Sequence, residues 1–121
     1  MVQGAFALVG SVGPLPAANY LITAKATVEN FIHDGPFDCF LRRDDGVEID
    51  STVTSTSTDS PFASVVNAGL TSLTAAQSVN MFCGTFGGIS GSDVSDVAIT
   101  AVQVGEATIG CSDLAFRCPG E

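Results

Sequence analysis

The chain has 121 residues, and its shortages are informative. It contains no tryptophan, one tyrosine (Tyr20) and one histidine (His33). A glycoside-cleaving site with paired carboxylates gains no aromatic platform here. His33 has no presented serine to serve: Gly88-Ile89-Ser90-Gly91-Ser92 lacks the final glycine of a nucleophile elbow, so His33 is read as a loop residue. Basic residues are as scarce, with four Lys+Arg against 13 Asp+Glu and a net charge of −9. Binding to nucleic acid or to an anionic membrane draws on cations that neutralise phosphate, so both are excluded as partners. The surface is expected to be acidic and solvated, with some attraction for basic partners or divalent cations. No apolar run approaches the ~20 residues of a membrane-spanning helix. Met1 to Gly10 lacks the basic start of a signal peptide, so the expectation is a chain kept in the cytoplasm, one assembled there into a larger particle, or one with its signal removed, and Met1 favours the first two.

Other site chemistry is missing too. Close Cys-x-x-Cys or Cys/His pairs of the zinc type do not occur. Asp44, Asp45, Glu48 and Asp50 cluster without EF-hand spacing and read as solvated charge, with Glu48 and Asp50 on the outer side of a strand. The glycine-rich stretch at 84–93 lacks the Lys-Ser/Thr ending of a phosphate loop and reads as a turn. No catalytic residue, metal or cofactor is assigned, and the chain is not expected to be an enzyme.

What the sequence does contain is alternation. From Tyr20 to Glu29 the side chains of Tyr20, Ile22, Ala24, Ala26 and Val28 fall on one face and Thr23, Lys25, Thr27 and Glu29 on the other. A period of two predicts a strand with one face in a core. Gly13, Pro14 and Pro16 mark its start. Bulky groups, with Phe37, Phe40 and Phe82 as candidates, are expected to pack over the small Ala24 and Ala26. Gly4 to Val12 reads as a first strand covered on both faces. Phe37 to Arg43 follows the turn residues Asp34-Gly35-Pro36, and Asp44-Asp45-Gly46 is a hairpin signal because glycine accepts positive φ.

Val47, Ile49, Ser51 and Val53 then alternate with Glu48, Asp50, Thr52 and Thr54. The Ser/Thr tract 51–60 fits either an exposed edge strand or a flexible segment. Further strands are expected at Phe62 to Asn67 and at Ser78 to Cys83, and Gly69 to Ser78 reads as a turn that has room for a short strand around Leu70 to Leu73. A helical turn near Thr74 to Gln77 stays open. Val94 to Val104 is apolar on both faces and is expected at the centre of a sheet, covered twice; Ala98, Val102 and Val104 are its candidate subunit-contact residues. Seven or eight strands without a convincing helix predict one all-β domain over 1–121, an antiparallel sandwich of jelly-roll type.

Cys39, Cys83, Cys111 and Cys118 allow three pairings. The reading favours Cys39 with Cys83, on neighbouring strands, and Cys111 with Cys118, closing a C-terminal extension at 105–121. Free buried thiols are the competitor.

The pattern Leu15-Pro-Ala-Ala-Asn-Tyr-Leu-Ile-Thr-Ala-Lys-Ala-Thr-Val, with Asp38-Cys39-Phe40-Leu41, Val79-Asn80-Met81-Phe82-Cys83 and Ala98-Ile99-Thr100-Ala101-Val102-Gln103-Val104, resembles the C1q/TNF-like jelly-roll domains of actinobacterial and actinophage surface proteins. The resemblance spans roughly residues 5 to 105 and implies a trimeric, non-enzymatic domain on a fibre, stalk or virion. No collagen repeat is present, which favours a free-standing subunit. The expectation is therefore a structural protein that decorates or cements a phage capsid, a homotrimer seated on a major capsid protein at the virion surface. The alternative is an extracellular or cell-surface module that recognises a glycan or a protein.

Overall fold

The structure, a computed structural model, describes residues 5–30, 35–56, 62–85 and 92–105. They form seven strands: β1 Ala5–Leu15, β2 Asn19–Asn30, β3 Gly35–Arg43, β4 Glu48–Thr56, β5 Phe62–Ser72, β6 Gln77–Thr85 and β7 Ser92–Val104. Sheet A has the order β1-β6-β3-β4 and sheet B the order β5-β2-β7, with every neighbouring pair antiparallel. The chain is thus the expected antiparallel β-sandwich, with seven strands.

The winding follows from three nested pairings. β3 and β4 form a hairpin around Asp44-Asp45-Gly46, β2 pairs with β5, and β1 pairs with β6. One long double strand is therefore folded over on itself, the jelly-roll manner of winding, and β7 is added beside β2. Gly46 sits at φ 91°, which is why the hairpin turn carries glycine.

The core lies between the sheets. Tyr20, Ile22, Ala24, Ala26 and Val28 of β2 are buried in one cluster with Phe37, Cys39 and Leu41 of β3, Val79, Met81 and Cys83 of β6, and Val65 and Leu73. Phe37 is the phenylalanine within this cluster. Phe40 and Phe82 lie instead on the outer face of sheet A, because each neighbours a core-facing cysteine and alternation turns it away. Cys39 and Cys83 face each other in register across β3 and β6 and form a disulfide. The Tyr20 hydroxyl donates to the Pro16 carbonyl oxygen at 2.7 Å, which satisfies a buried polar tip and fixes the crossover from sheet A to sheet B.

Two glycines let the layers close at their sides. A Cβ on Gly69 would lie 2.6 Å from Ile49 Cγ2 and 3.2 Å from the Ile49 carbonyl oxygen, so β4 and β5 approach closely there. A Cβ on Gly10 would lie 2.8 Å from Val97 Cγ1, which sets the contact of β1 with β7. Gly69 consequently belongs to the continuous strand β5, and the turn expected there does not form. β1 likewise runs on through Pro14, where the register shifts between Val12 and Leu15, a disruption that an edge strand tolerates. Residues 74–77 hold bends and the start of β6, with no helical turn.

Three placements correct the sequence reading. β1 is an edge strand with Leu8 57% exposed, so its two faces are not both covered. β7 is an edge strand too: Val97, Ile99 and Ala101 turn inward while Ala98, Thr100 and Val102 face solvent. It bulges opposite Ala26, where Asp96 takes φ 52°. On β4, Glu48 is exposed and Ile49 packs on the core as expected, but from Asp50 onward the faces are reversed. Asp50, Thr52, Thr54 and Thr56 turn toward the interior, and Ser51, Val53 and Ser55 face out.

The reversal on β4 has a polar cause. Asn67 of β5 is fully buried, and its Nδ2 lies 3.1 Å from Thr52 Oγ1, 3.2 Å from Asp50 Oδ2 and 3.3 Å from the Cys39 carbonyl oxygen. The Ala68 amide donates to Asp50 Oδ2, and the Thr52 hydroxyl donates to the Val66 carbonyl oxygen. Side chains of β4 thereby occupy backbone groups on the free edge of β5, which a second strand would otherwise seek.

Part of the sequence reading falls on residues outside those described. These are His33, the tract at 57–61, most of the glycine-rich stretch, and the extension carrying Cys111 and Cys118.

Candidate functional site

Three surfaces collect polar or apolar side chains in an organised way. At one end, the β3–β4 turn is clasped to the starts and ends of other strands. Arg43 Nε donates to Asp45 Oδ1, its Nη2 pairs with Asp45 Oδ2, and its Nη1 donates to Thr71 Oγ1 and the Ser72 carbonyl oxygen. Asp45 also accepts from Gln77 Nε2 and the Val47 amide. Asp44 accepts from the Ser78 amide and Asn80 Nδ2, both at 2.9 Å. The hydrogen bond from Arg43 holds the Asp45 carboxyl well below the usual carboxylate range, and that from the Ser78 amide lowers Asp44. Every member has protein partners, so the clasp fastens a turn and offers no free acid or base. Among the described residues no group of three or more His, Cys, Asp and Glu gathers as a metal site.

The second surface is the outer face of sheet B. Its register aligns Leu70, Leu21 and Val102 in one row, Ala68, Thr23 and Thr100 in the next, and Val66, Lys25 and Ala98 in a third. Leu21, Val66 and Val102 are 37%, 63% and 56% exposed. Thr23, Lys25, Val66, Ala98 and Thr100 line a shallow open groove between these rows. Lys25 stands in the middle and makes no ion pair among the described residues. Two of the three candidate contact residues, Ala98 and Val102, belong to this patch; Val104 lies at its end, half-buried beside Asn19.

The third surface, the outer face of sheet A, was not foreseen. Phe40 stacks on Phe82 with centroids 5.3 Å apart, Phe6 meets Phe40 edge-on at 5.7 Å, and the Arg42 guanidinium lies 4.8 Å from the Phe40 centroid and 5.7 Å from that of Phe82. Leu8 and Val53 are exposed beside this cluster. The signal that locates it is parity: once Cys39 and Cys83 face the core, Phe40, Phe82 and Arg42 must face out.

The described residues thus form a seven-stranded antiparallel sandwich with an exposed patch on sheet B, an aromatic cluster capped by Arg42 on sheet A and a polar clasp at one end. Comparison with protein-family models, curated proteins and solved structures finds no match for the chain. The likeness to C1q/TNF-like domains therefore rests on the strand pattern alone.

Proposed function

We propose that the chain is a non-enzymatic structural protein that joins a larger protein assembly through the outer face of sheet B. The setting proposed is a virion surface, where trimers of the chain decorate or cement a capsid protein. The observation that carries this reading is the patch built from Leu21, Leu70, Val66, Ala98 and Val102, an apolar face on a sheet that has a core on its other side. Lys25 at its centre suits a partner surface that brings a carboxylate. The Cys39–Cys83 disulfide suits an oxidising exterior, and it equally supports a second reading as a secreted recognition module.

Neighbouring genes for capsid or tail proteins would supply the particle to assay. Purified particles lacking the chain are expected to retain it on sedimentation, and Val66→Glu with Val102→Glu to abolish retention. No retention, together with a monomer at every concentration, refutes the proposal.

A further inference from the structure

The outer face of sheet A carries a pattern that the docking of sheet B does not use. On β3, Asp38, Phe40 and Arg42 point outward in succession, giving negative charge, aromatic ring and positive charge along one line. Phe40 lies in a row with Leu8, Phe82 and Ser51. Arg42 makes no ion pair among the described residues, although Glu48 is its cross-strand neighbour; it is laid over Phe40 and Phe82 with its side chain exposed. A guanidinium held on aromatic faces keeps its fork of donors oriented and unspent.

We propose that this face pairs two copies of the chain about a two-fold axis that crosses the strands at Phe40. Such an axis runs the facing β3 strands antiparallel. Asp38 then meets the partner's Arg42, Arg42 meets the partner's Asp38, and the row of Leu8, Phe82, Phe40 and Ser51 meets itself, with Phe40 only 8% exposed beneath Arg42. An axis along the strands would set Asp38 on Asp38 and Arg42 on Arg42, so the charges select one of the two arrangements. The row is apolar from Leu8 through Phe82, Arg42 covers Phe40, polar Ser51 closes it at β4, and the ion pairs flank it, a self-complementary arrangement of the kind an isologous contact needs. Exposed Leu8 supplies the apolar contact on the β1 side, and Val53 comes to lie over the partner's Glu48.

The size of the face sets the strength. Four strands spaced ~4.8 Å apart, over about nine residues of ~3.3 Å each, give roughly 600 Å² per copy. That is below the ~800 Å² per partner of a standard stable interface, so the pair is a weak, concentration-dependent dimer. It is independent of what sheet B binds.

The test is sedimentation equilibrium of the full chain from about 1 μM to 1 mM, a range that brackets weak interfaces. The unit present at low concentration, monomer or trimer, is expected to double in mass as the concentration rises. Asp38→Arg and Arg42→Asp are each expected to weaken dimerisation at least about tenfold, equivalent to ~1.4 kcal/mol, and the double reversal to restore it. The single reversals move the net charge of −9 in opposite directions, so a general charge effect would not weaken both. Leu8→Asp should also prevent the doubling, and circular dichroism checks that each variant is folded. Val66→Glu with Val102→Glu on sheet B should leave the dimer intact, which separates this proposal from the docking one. A wild type whose mass never doubles, single reversals without effect, or a double reversal that fails to rescue would each overturn it.

Discussion

Removing the Cys39–Cys83 bond while keeping its sulfurs isolates what the crosslink contributes. The two cysteines are 44 positions apart and join β3 to β6 covalently, beside their backbone pairing and the Phe40–Phe82 stack. A loop of that length loses about 13 cal/mol/K of chain entropy in the unfolded state when closed, or about 4 kcal/mol at 25 °C. Both residues are buried, so Cys39→Ala with Cys83→Ala also vacates core volume and adds about 0.5–1.5 kcal/mol per site, by analogy with Ile→Val. Against total stabilities of about 5–15 kcal/mol for ordinary domains, either loss is large. The experiment compares the oxidised, reduced and double-Ala proteins in a Cys111→Ser/Cys118→Ser background by urea unfolding. Circular dichroism is the probe, because the chain has no tryptophan. The expected order is oxidised, then reduced, then double-Ala, with steps near 4 kcal/mol and then about 1–3 kcal/mol. A reduced protein within 1 kcal/mol or so of the oxidised one would refute the loop-entropy reasoning.

Three further outcomes can be measured on the same protein. Tyr20→Phe removes the donor to the Pro16 carbonyl and should cost about 1 kcal/mol in urea unfolding, with secondary structure unchanged. Gly69→Ala places a methyl where Ile49 already sits and should cost about 1–3 kcal/mol, with partial recovery on adding Ile49→Ala. Stability should also fall in acid through the turn clasp. Asp45 and Asp44 titrate lower in the folded chain than in the unfolded one, so their contribution is complete above the ordinary carboxylate value of about 4 and disappears as pH drops toward the folded values. Melting temperatures measured from about pH 6 to pH 2 should decline less steeply for Asp45→Asn than for the wild type; parallel curves would discount the clasp.

The part of the fold that sequence discloses is the part governed by strict alternation. Tyr20 to Val28 has five inward positions that are all apolar or aromatic, and the structure buries all five. β4 misleads because Ser and Thr suit either face of a sheet, while its true partners, Asn67 and the Ala68 amide, arrive from another strand. A register shift between Leu41 and Arg42 further decouples the faces of β4 from those of β3. β7 misleads in a different way. Apolar residues on both sides have the pattern of a central strand, but the second cover is absent from the described residues of this chain, which is why the patch around Val102 counts as a surface. Gly69 reads as a turn because nothing local reveals that Ile49 needs its missing side chain. The aromatic cluster on sheet A follows from parity only after the disulfide fixes which face of β3 and β6 is inward.

The nested winding also bears on how the chain reaches this state. Arg42 meets Glu48 across a short turn, Glu29 meets Phe62 across a longer gap, and Ala5, at the start of the described chain, meets Thr85 at the end of β6. Closing each successive pairing costs more chain entropy than the last, and none beyond the first is local. Assembly is expected to start at the Asp44–Gly46 turn and proceed outward like a zip. β1 would join last, and the Cys39–Cys83 bond could form only once β6 has come home beside β3. Folding in the millisecond-to-second range, with β1 the first strand to detach under mild denaturant, is the kinetic signature of such a rolled hairpin.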